Sequence, residues 1–202
     1  MSTQKIKYMA YRTLIIITTL LIIGCSSEPK QKNKLVSKPK VKIEVPTFNA
    51  DSAYGFVAKQ VSFGPRVISS KGWRDCAIWL EKKLKTYTPS VIVQEASITT
   101  YDGKHHTLKN IVASFSTEKN NRVALFAHWD SRHIADHDTE NQNKPILGAN
   151  DGGSGVGVLI EIARQFNIKN PKIGVDIILF DAEDYGQPEN SSFPIMQDSW
   201  CL

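Results

Sequence analysis

Blocks of apolar residues with different spacings divide the chain into predicted strands and helices. Residues 122–127 and 175–180 are short, almost continuous apolar runs, which is typical of strands buried on both faces. Between them, apolar residues recur every three or four positions from about residue 154 to Asn170, where Asn-Pro ends a predicted helix. A helix that joins two buried strands implies a right-handed parallel crossover.

The preceding part of the chain carries weaker patterns of the same kind. Its predicted elements are two helices followed by two strands, at residues 51–61, 73–86, 91–98 and 108–115. Asp51 is the expected N-cap of the first helix, and Asp102-Gly103 is the hairpin turn between the two strands. Residues 131–149 form a polar loop whose length is uncommon unless it has a function. The pattern indicates an α/β fold with a mixed, largely parallel central sheet flanked by helices.

Polar clusters at the ends of these elements carry the candidate chemistry. Residues 128–130 (His-Trp-Asp) follow one buried strand, residues 181–184 (Asp-Ala-Glu-Asp) follow the other, and residues 150–153 (Asn-Asp-Gly-Gly) precede the helix. Ligands of open α/β sheets bind outside the carboxyl ends of the strands, so these side chains are expected to converge. A histidine with several carboxylates suits a divalent metal, zinc in particular.

Each candidate residue has a functional and a structural interpretation. Asp151 is a candidate metal ligand, because a helix N-terminus keeps its carboxylate ionised; the alternative is a simple N-cap. Of the adjacent acids Glu183 and Asp184, one can bind metal while the other acts as general acid/base; the alternative is two solvated loop acids. His128 could bind metal, with Asp130 orienting its other ring nitrogen or a neighbouring residue, or it could be a structural histidine. The remaining histidines are expected to face solvent: His105, His106, His133 and His137.

Positive charge is confined to the N-terminal segment. Residues 1–45 contain nine Lys and Arg against two Glu, which gives +7, whereas the remainder carries sixteen Lys and Arg against eighteen Asp and Glu, which gives −2. The later part therefore lacks the basic patch expected of a nucleic-acid-binding protein. Residues 25–46 are Lys-rich and without apolar periodicity, so they are predicted to be a disordered tether to a domain at residues 47–202.

The first 24 residues have the organisation of a secretory signal peptide. A basic start precedes the apolar run at residues 14–23, which is shorter than the roughly 20 residues that cross a bilayer. The run ends at Gly24-Cys25 and resembles a bacterial lipoprotein box, in which the cysteine is acylated and becomes the mature N-terminus. The alternative is an ordinary signal peptide or a short anchor with an incidental Cys25. The lipoprotein interpretation predicts a protein of the bacterial cell envelope, anchored in the lipid bilayer through acylated Cys25.

Cys76 and Cys201 are the two other cysteines, and in an exported protein they could form one disulfide. Cys76 lies in a helical pattern, however, and Cys201 lies next to the last residue. Two free thiols are therefore the favoured expectation.

The polar clusters resemble those of the zinc aminopeptidase-like (M28-type) family and, within it, the glutaminyl-peptide cyclotransferases, or glutaminyl cyclases. The resemblance is carried by residues 127–132, 148–156 and 181–184 in this order, and residues 61–67 and 197–199 fit the same family. It covers roughly residues 50–202.

The resemblance implies a role for several residues. Asp151 and Asp184 match zinc ligands, Glu183 matches the general acid/base, and Trp129 is a candidate substrate-pocket residue. His128 matches the position that binds a second zinc in the peptidases, whereas the cyclotransferases keep this histidine and typically use one metal. The family takes its third zinc ligand, a histidine, from a C-terminal portion beyond residue 202, so the chain is expected to be truncated.

The leading functional hypothesis is the zinc-assisted conversion of N-terminal glutaminyl residues of peptides or proteins to pyroglutamyl residues, with release of ammonia. The rival activity is a zinc aminopeptidase, in which water attacks a peptide bond. A loop rich in Pro, Ser and Asn at residues 186–194 follows the acidic pair, as in the cyclotransferases, and favours the first hypothesis. An inactive lipoprotein fragment is the third alternative.

Overall fold

The computed structural model describes residues 45–188 and 191–192 of the 202-residue chain. The predicted signal peptide, most of the tether, Cys25 and Cys201 lie outside these residues. None of the helices in the described part is both long enough and apolar enough to span a bilayer.

Three helices and four strands make up the described fold. In chain order they are α1 (Ala50–Val61), α2 (Lys71–Lys85), β1 (Val91–Thr99), β2 (His105–Phe115), β3 (Arg122–His128), α3 (Gly153–Ile168) and β4 (Gly174–Phe180). All seven elements predicted from the apolar patterns are present, with bounds that differ by at most three residues.

The start of α1 differs from the prediction. The N-cap is Asn49, whose side chain accepts a hydrogen bond from the backbone N–H of Ser52 at 2.9 Å. Asp51 lies within the first turn instead, where its negative charge interacts favourably with the helix dipole. Both residue types suit an N-cap, and the extended backbone at Asn49 decides between them.

The sheet is open and mixed, with strand order β1-β2-β4-β3. The Asp102-Gly103 turn joins β1 to β2 as an antiparallel hairpin, and β2 is also antiparallel to β4. The helix α3 connects β3 to β4, and these two strands are parallel as predicted. The mixed α/β architecture is confirmed, while the parallel share is smaller than expected: one of the three strand pairs in the described residues is parallel.

Strand β3 is not buried on both faces, contrary to the prediction. It lies at the edge of the described sheet, and the side chain of Phe126 is 68% exposed. The prediction holds better for β4, which lies between two strands and buries Val175, Ile177 and Leu179. Both strands have nearly continuous apolar sequences, and such a sequence does not distinguish an edge strand from a central one.

One hydrophobic core lies between the sheet and the helices α2 and α3, and α1 packs against α3. Its fully buried side chains include Leu80, Leu84, Ile111, Ile160, Ile177 and Leu179. Gly157 permits the close approach of α1 and α3, since a Cβ atom there would lie 2.7 Å from Cγ2 of Val57. Cys76 is a buried thiol within this core and forms no disulfide among the described residues, and burial raises its pKa to about 12.

Candidate metal and catalytic site

Three segments meet at the carboxyl ends of the parallel strands β3 and β4. His128 is the last residue of β3, Asp151 lies two residues before α3, and Asp184 lies four residues after β4. Each offers one ligand atom, and these atoms all lie within 4.8 Å of one another. The structure thus brings together the three metal-ligand candidates identified in the sequence.

The turn before α3 directs Asp151 into this site. The N-cap of α3 is Gly152, which makes no side-chain capping bond, and the carboxylate of Asp151 accepts a hydrogen bond from His128 Nε2 at 2.9 Å. Gly152 has a φ of 78°, and a Cβ atom there would lie 2.8 Å from the carbonyl oxygen of Asp130. Glycine is therefore required at this turn, and Asp151 is not the N-cap of the helix.

His128 lies among three carboxylates. Its Nδ1 is 3.3 Å from Asp130 and 3.8 Å from Glu183, and its Nε2 bonds to Asp151. Burial lowers the pKa of His128, but the hydrogen bonds to Asp130 and Asp151 and the charge of Glu183 outweigh it and raise the pKa to about 9. The carboxylates thus favour a positive charge at this point in the site.

Asp130 holds the acidic pair through the backbone. Its buried carboxylate accepts hydrogen bonds from the N–H of Glu183 at 3.2 Å and from the N–H of Asp184 at 3.0 Å, besides its contact with His128. Asp130 thus contacts the ring of His128, as the sequence suggested, and also binds the backbone of the acidic pair. One carboxylate links the end of β3 to the loop after β4.

Asp184 has the environment expected of a cation ligand. Its side chain is 11% exposed, Oδ1 lies 3.7 Å from Arg132 Nη1, and Oδ2 is buried without a hydrogen-bond partner among the described residues. Burial, followed by repulsion from Asp130 and Asp151, raises the pKa of Asp184 to about 6. A buried carboxylate oxygen without a donor is costly unless a cation binds it, so the donor set fits a divalent metal such as zinc.

Glu183 differs from its neighbour in exposure. Its side chain is 61% exposed, and its Oε2 lies 3.8 Å from Nδ1 of His128. It is not one of the three clustered ligand candidates. A carboxylate that borders the cluster and also reaches solvent is placed to exchange protons with a substrate.

Residues 110–193 match peptidase family M28. The matched segment contains His128, Asp151, Glu183 and Asp184. Among solved structures, it is similar to the glutaminyl cyclase of Tannerella forsythia, with 55% identity and a TM-score of 0.75 over 78% of this chain and 54% of that one. A Zn-dependent exopeptidase from Parabacteroides distasonis is 53% identical, with a TM-score of 0.75 over 79% of this chain and 55% of that one.

A second glutaminyl cyclase, that of Bacteroides thetaiotaomicron bound to N-acetylhistamine, is 48% identical to this chain. The two superimpose with a TM-score of 0.75 over 79% of this chain and 55% of the other. The chain therefore spans about half the length of these solved structures. The mixed α/β sheet described above is shared with both the cyclases and the exopeptidase.

Asp181 and Ala182 form a turn that supports the site, and the sequence indicated no separate role for them. Buried Asp181 accepts hydrogen bonds from Trp73 Nε1 and from the N–H groups of Lys109 and Ala182, at 2.7–2.9 Å. Burial, with the nearby charge of Asp130, raises its pKa to about 7, and the three donors oppose this shift. Ala182 has a φ of 61°, a conformation that costs a non-glycine residue about 1–2 kcal/mol. The sequence signal that could have identified this role is an aspartate directly after a buried strand.

Arg66 also supports the site, although the sequence suggested no individual role for it. Its buried guanidinium donates to the backbone carbonyls of Trp129 at 2.8 Å and of Leu147 and Gly148 at 2.7 Å each. Burial lowers its pKa from the ordinary value of arginine, and the charge of Asp130 is among those that oppose this change. Arg66 thereby fastens the 131–149 loop to the end of β3, and the sequence contained no signal for this role beyond the family resemblance of residues 61–67.

Trp129 lies in the core of the described structure, which gives its predicted substrate-pocket role no support. Its side chain is completely buried, stacks on Trp73 at a centroid distance of 5.9 Å, and donates from Nε1 to the carbonyl oxygen of Lys109 at 3.1 Å. Its neighbour His128 lies in the site instead. Adjacent residues of an extended chain point in opposite directions, so His128 and Trp129 do not face the same side.

The prediction for the remaining histidines is partly wrong. His105 and His137 are exposed as expected, whereas His106 and His133 are half-buried. The ring of His133 stacks on Tyr185 with centroids 4.2 Å apart. The partners of these two rings come from distant segments of the chain. The local sequence around each histidine is polar and does not show these partners, so it suggested solvent exposure.

Proposed function

We propose that this protein is a zinc-dependent glutaminyl-peptide cyclotransferase that acts on peptides or proteins with an N-terminal glutamine. The observation that carries the proposal is the cluster of His128, Asp151 and Asp184 with the exposed Glu183 at its border, in a chain similar to two glutaminyl cyclases. The product is a pyroglutamyl peptide, and the leaving group is ammonia.

Asp151 and Asp184 are the proposed zinc-binding carboxylates, with His128 as the third ligand among the described residues. Three protein ligands and an open position are usual for catalytic zinc. A zinc ion bound there would supply a Lewis acid that polarises the γ-carbonyl of the substrate glutamine. Arg132 lies 3.7 Å from Oδ1 of Asp184, whereas the buried Oδ2 has no donor among the described residues and is the oxygen proposed to bind the ion.

Glu183 is the proposed general acid/base. The α-amino nitrogen attacks the γ-carbonyl carbon, a C–N bond closes the five-membered ring, and the bond to the amide nitrogen breaks. Glu183 accepts the proton from the attacking nitrogen and returns it to the departing nitrogen, which leaves as ammonia. Its exposed carboxylate reaches the substrate, while Asp130 holds its backbone N–H at 3.2 Å.

A zinc exopeptidase is the second candidate function, favoured by the 53% identity to the enzyme of Parabacteroides distasonis. In that case water is a reactant and the product is a free amino acid. The same cluster with Glu183 as base would serve this reaction. The two candidates differ in their products, which makes the distinction experimental.

The deciding experiment incubates the zinc-loaded protein with a peptide that begins with Gln and measures ammonia and the mass of the peptide. Loss of ammonia with the peptide otherwise intact supports the cyclotransferase; release of free glutamine supports the exopeptidase. Glu183→Gln should lower the rate by roughly 10²–10⁴-fold and leave the zinc content unchanged. Glu140→Gln, at an exposed loop acid, is the matched control and should behave like the wild type. Loss of zinc in Glu183→Gln would mean that Glu183 and Asp184 have exchanged roles.

We further propose that the protein is held at the membrane of a bacterial cell envelope by acylated Cys25. The support is the signal-like sequence of residues 1–24 and the Lys-rich segment that follows. Cys25 lies outside the described residues.

A further inference from the structure

A cluster of four rings lies beside the acidic pair and takes no part in the proposed metal site. The aromatic cluster consists of Tyr101, His106, His133 and Tyr185. Tyr185 stacks on His133, with centroids 4.2 Å apart and planes 16° apart, and contacts His106 at 5.4 Å and Tyr101 at 6.1 Å. A hydrogen bond of 2.9 Å joins the hydroxyl of Tyr101 to Nε2 of His133.

The aromatic cluster joins three segments that are far apart in the sequence. Tyr101 and His106 belong to the β1–β2 hairpin, His133 belongs to the 131–149 loop, and Tyr185 immediately follows Asp184. Burial lowers the pKa of both histidines and so favours the neutral form of the rings around Tyr185.

The hydroxyl of Tyr185 is also held in place, by a hydrogen bond to the β1–β2 hairpin. It donates to Oδ2 of Asp102 at 3.3 Å, and the same carboxylate pairs with Lys104 at 2.6 Å and accepts from the hydroxyl of Thr100 at 2.5 Å. Burial opposes ionisation of Asp102, but Lys104 and Thr100 hold its pKa well below the ordinary value. The turn of the hairpin thus offers Tyr185 a fixed anionic acceptor.

The backbone between β4 and Tyr185 needs support on both sides. Ala182 has a φ of 61°, which is unfavourable for a residue with a Cβ atom, and the surrounding contacts must maintain this conformation. On the preceding side, Asp181 accepts from the N–H of Ala182 at 2.8 Å. Asp130 holds the N–H groups of Glu183 and Asp184. On the following side, Arg132 Nη1 donates to the carbonyl oxygen of Asp184 at 3.4 Å, and Tyr185 supplies the next side chain.

We infer that Tyr185 is a positioning residue, whose ring, held by His133 and the β1–β2 hairpin, fixes the Glu183–Asp184 segment in its working geometry. The inference rests on the proposed function for the roles of Glu183 and Asp184. The ring acts through the backbone of its two neighbours and not on the substrate. A small displacement of a catalytic carboxylate has a large effect on rate, which gives this anchoring a measurable consequence.

The test compares three variants of the full-length, zinc-loaded protein. Tyr185→Leu removes the ring, Tyr185→Phe keeps the ring but removes the hydroxyl, and Tyr54→Leu replaces an exposed tyrosine of α1 as the matched control. The measurements are kcat and KM for a Gln-initiated peptide, and hydrogen exchange at the amides of Glu183 and Asp184.

Tyr185→Leu should lower kcat by about 10-fold to 100-fold with a much smaller change in KM. It should also accelerate amide exchange at Glu183 and Asp184 by about 10-fold or more, while the amides of β4 keep their protection. Tyr185→Phe should restore kcat to within about 3-fold of the wild type, because the stacked ring is retained. The control Tyr54→Leu should leave all three quantities unchanged.

Two results would overturn the inference: wild-type kcat and exchange in Tyr185→Leu, or no recovery in Tyr185→Phe. If Tyr185→Leu fails to fold, His133→Leu removes the stacking partner instead and should accelerate exchange at the same two amides; unchanged exchange there also overturns the inference. If the wild type releases no ammonia, the proposed function fails, and the exchange measurement still decides whether Tyr185 positions the segment.

Discussion

Replacing Asp130 by Asn tests whether one buried carboxylate holds the acidic pair in place. In the structure, Oδ1 of Asp130 accepts from the N–H of Glu183 at 3.2 Å and contacts His128 Nδ1 at 3.3 Å, and Oδ2 accepts from the N–H of Asp184 at 3.0 Å. Asparagine has the same shape but one acceptor oxygen. Its NH₂ group must therefore face at least one backbone N–H, and that donor loses its acceptor.

The expected cost follows from these contacts. A buried donor left without an acceptor costs about 1–3 kcal/mol, and bonds to a charged acceptor are worth about 1 kcal/mol more than bonds to a neutral one. Loss of the Asp130 charge also relieves repulsion with Asp181 and Asp184, whose pKa values it raises. Because the lost contacts are direct and the repulsion is longer-ranged, Asp130→Asn should lower the free energy of unfolding by about 2–3 kcal/mol.

Urea denaturation at pH 7 measures this change, and a thermal scan should show a lower midpoint by about 4–12 °C. Asp138→Asn is the matched control, since Asp138 is exposed in the same part of the chain, and it should change stability by no more than about 0.5 kcal/mol. A change of less than about 0.5 kcal/mol in Asp130→Asn would refute the assignment of Asp130 as the support of the acidic pair.

Two further predictions concern other parts of the chain. Buried Glu161 accepts hydrogen bonds from the side chains of Arg164 and Gln165 and from the N–H of Asn49. The bonds from Arg164 contribute most, and together these donors lower the pKa of Glu161 to about 2 although burial alone would raise it. The folded-state pKa lies below the unfolded one, so this stabilisation is present above about pH 4.5 and is lost toward pH 2; it amounts to no more than about 3 kcal/mol. Urea titrations across this range should show a shallower pH dependence in Glu161→Gln, and an unchanged slope contradicts the assignment. Cys25→Ser should abolish partition of the protein into a detergent phase, and an unchanged membrane fraction would exclude the lipid anchor.

Local patterns in the sequence were sufficient for the elements of the fold. Amphipathic spacing predicted α3, continuous apolar runs predicted β3 and β4, and Asp102-Gly103 predicted the hairpin. These signals succeed because side-chain periodicity and turn preference depend on residues that are near in sequence. The predicted signal peptide and tether, with boundaries at residues 24 and 46, concern residues outside or at the limit of the described part and remain predictions.

The sequence also identified the residues that meet at the candidate site. His128, Asp151 and Asp184 each lie at the end or start of an element, and a parallel β3–β4 pair places those ends together. Their convergence therefore followed from the topology that the crossover implied. Their roles as metal ligands, and that of Glu183 as acid/base, remain proposals.

Tertiary structure decided which faces are buried and which side chains support the site. The apolar run of β3 was placed correctly as a strand, but its position at the sheet edge depends on the strand order. The burial of Trp129, the carbonyl contacts of Arg66 and the stacking of His133 on Tyr185 all join residues from separate segments. Periodicity records what a residue prefers locally, whereas burial and partnership depend on residues brought near by the fold, so these features became visible only in three dimensions.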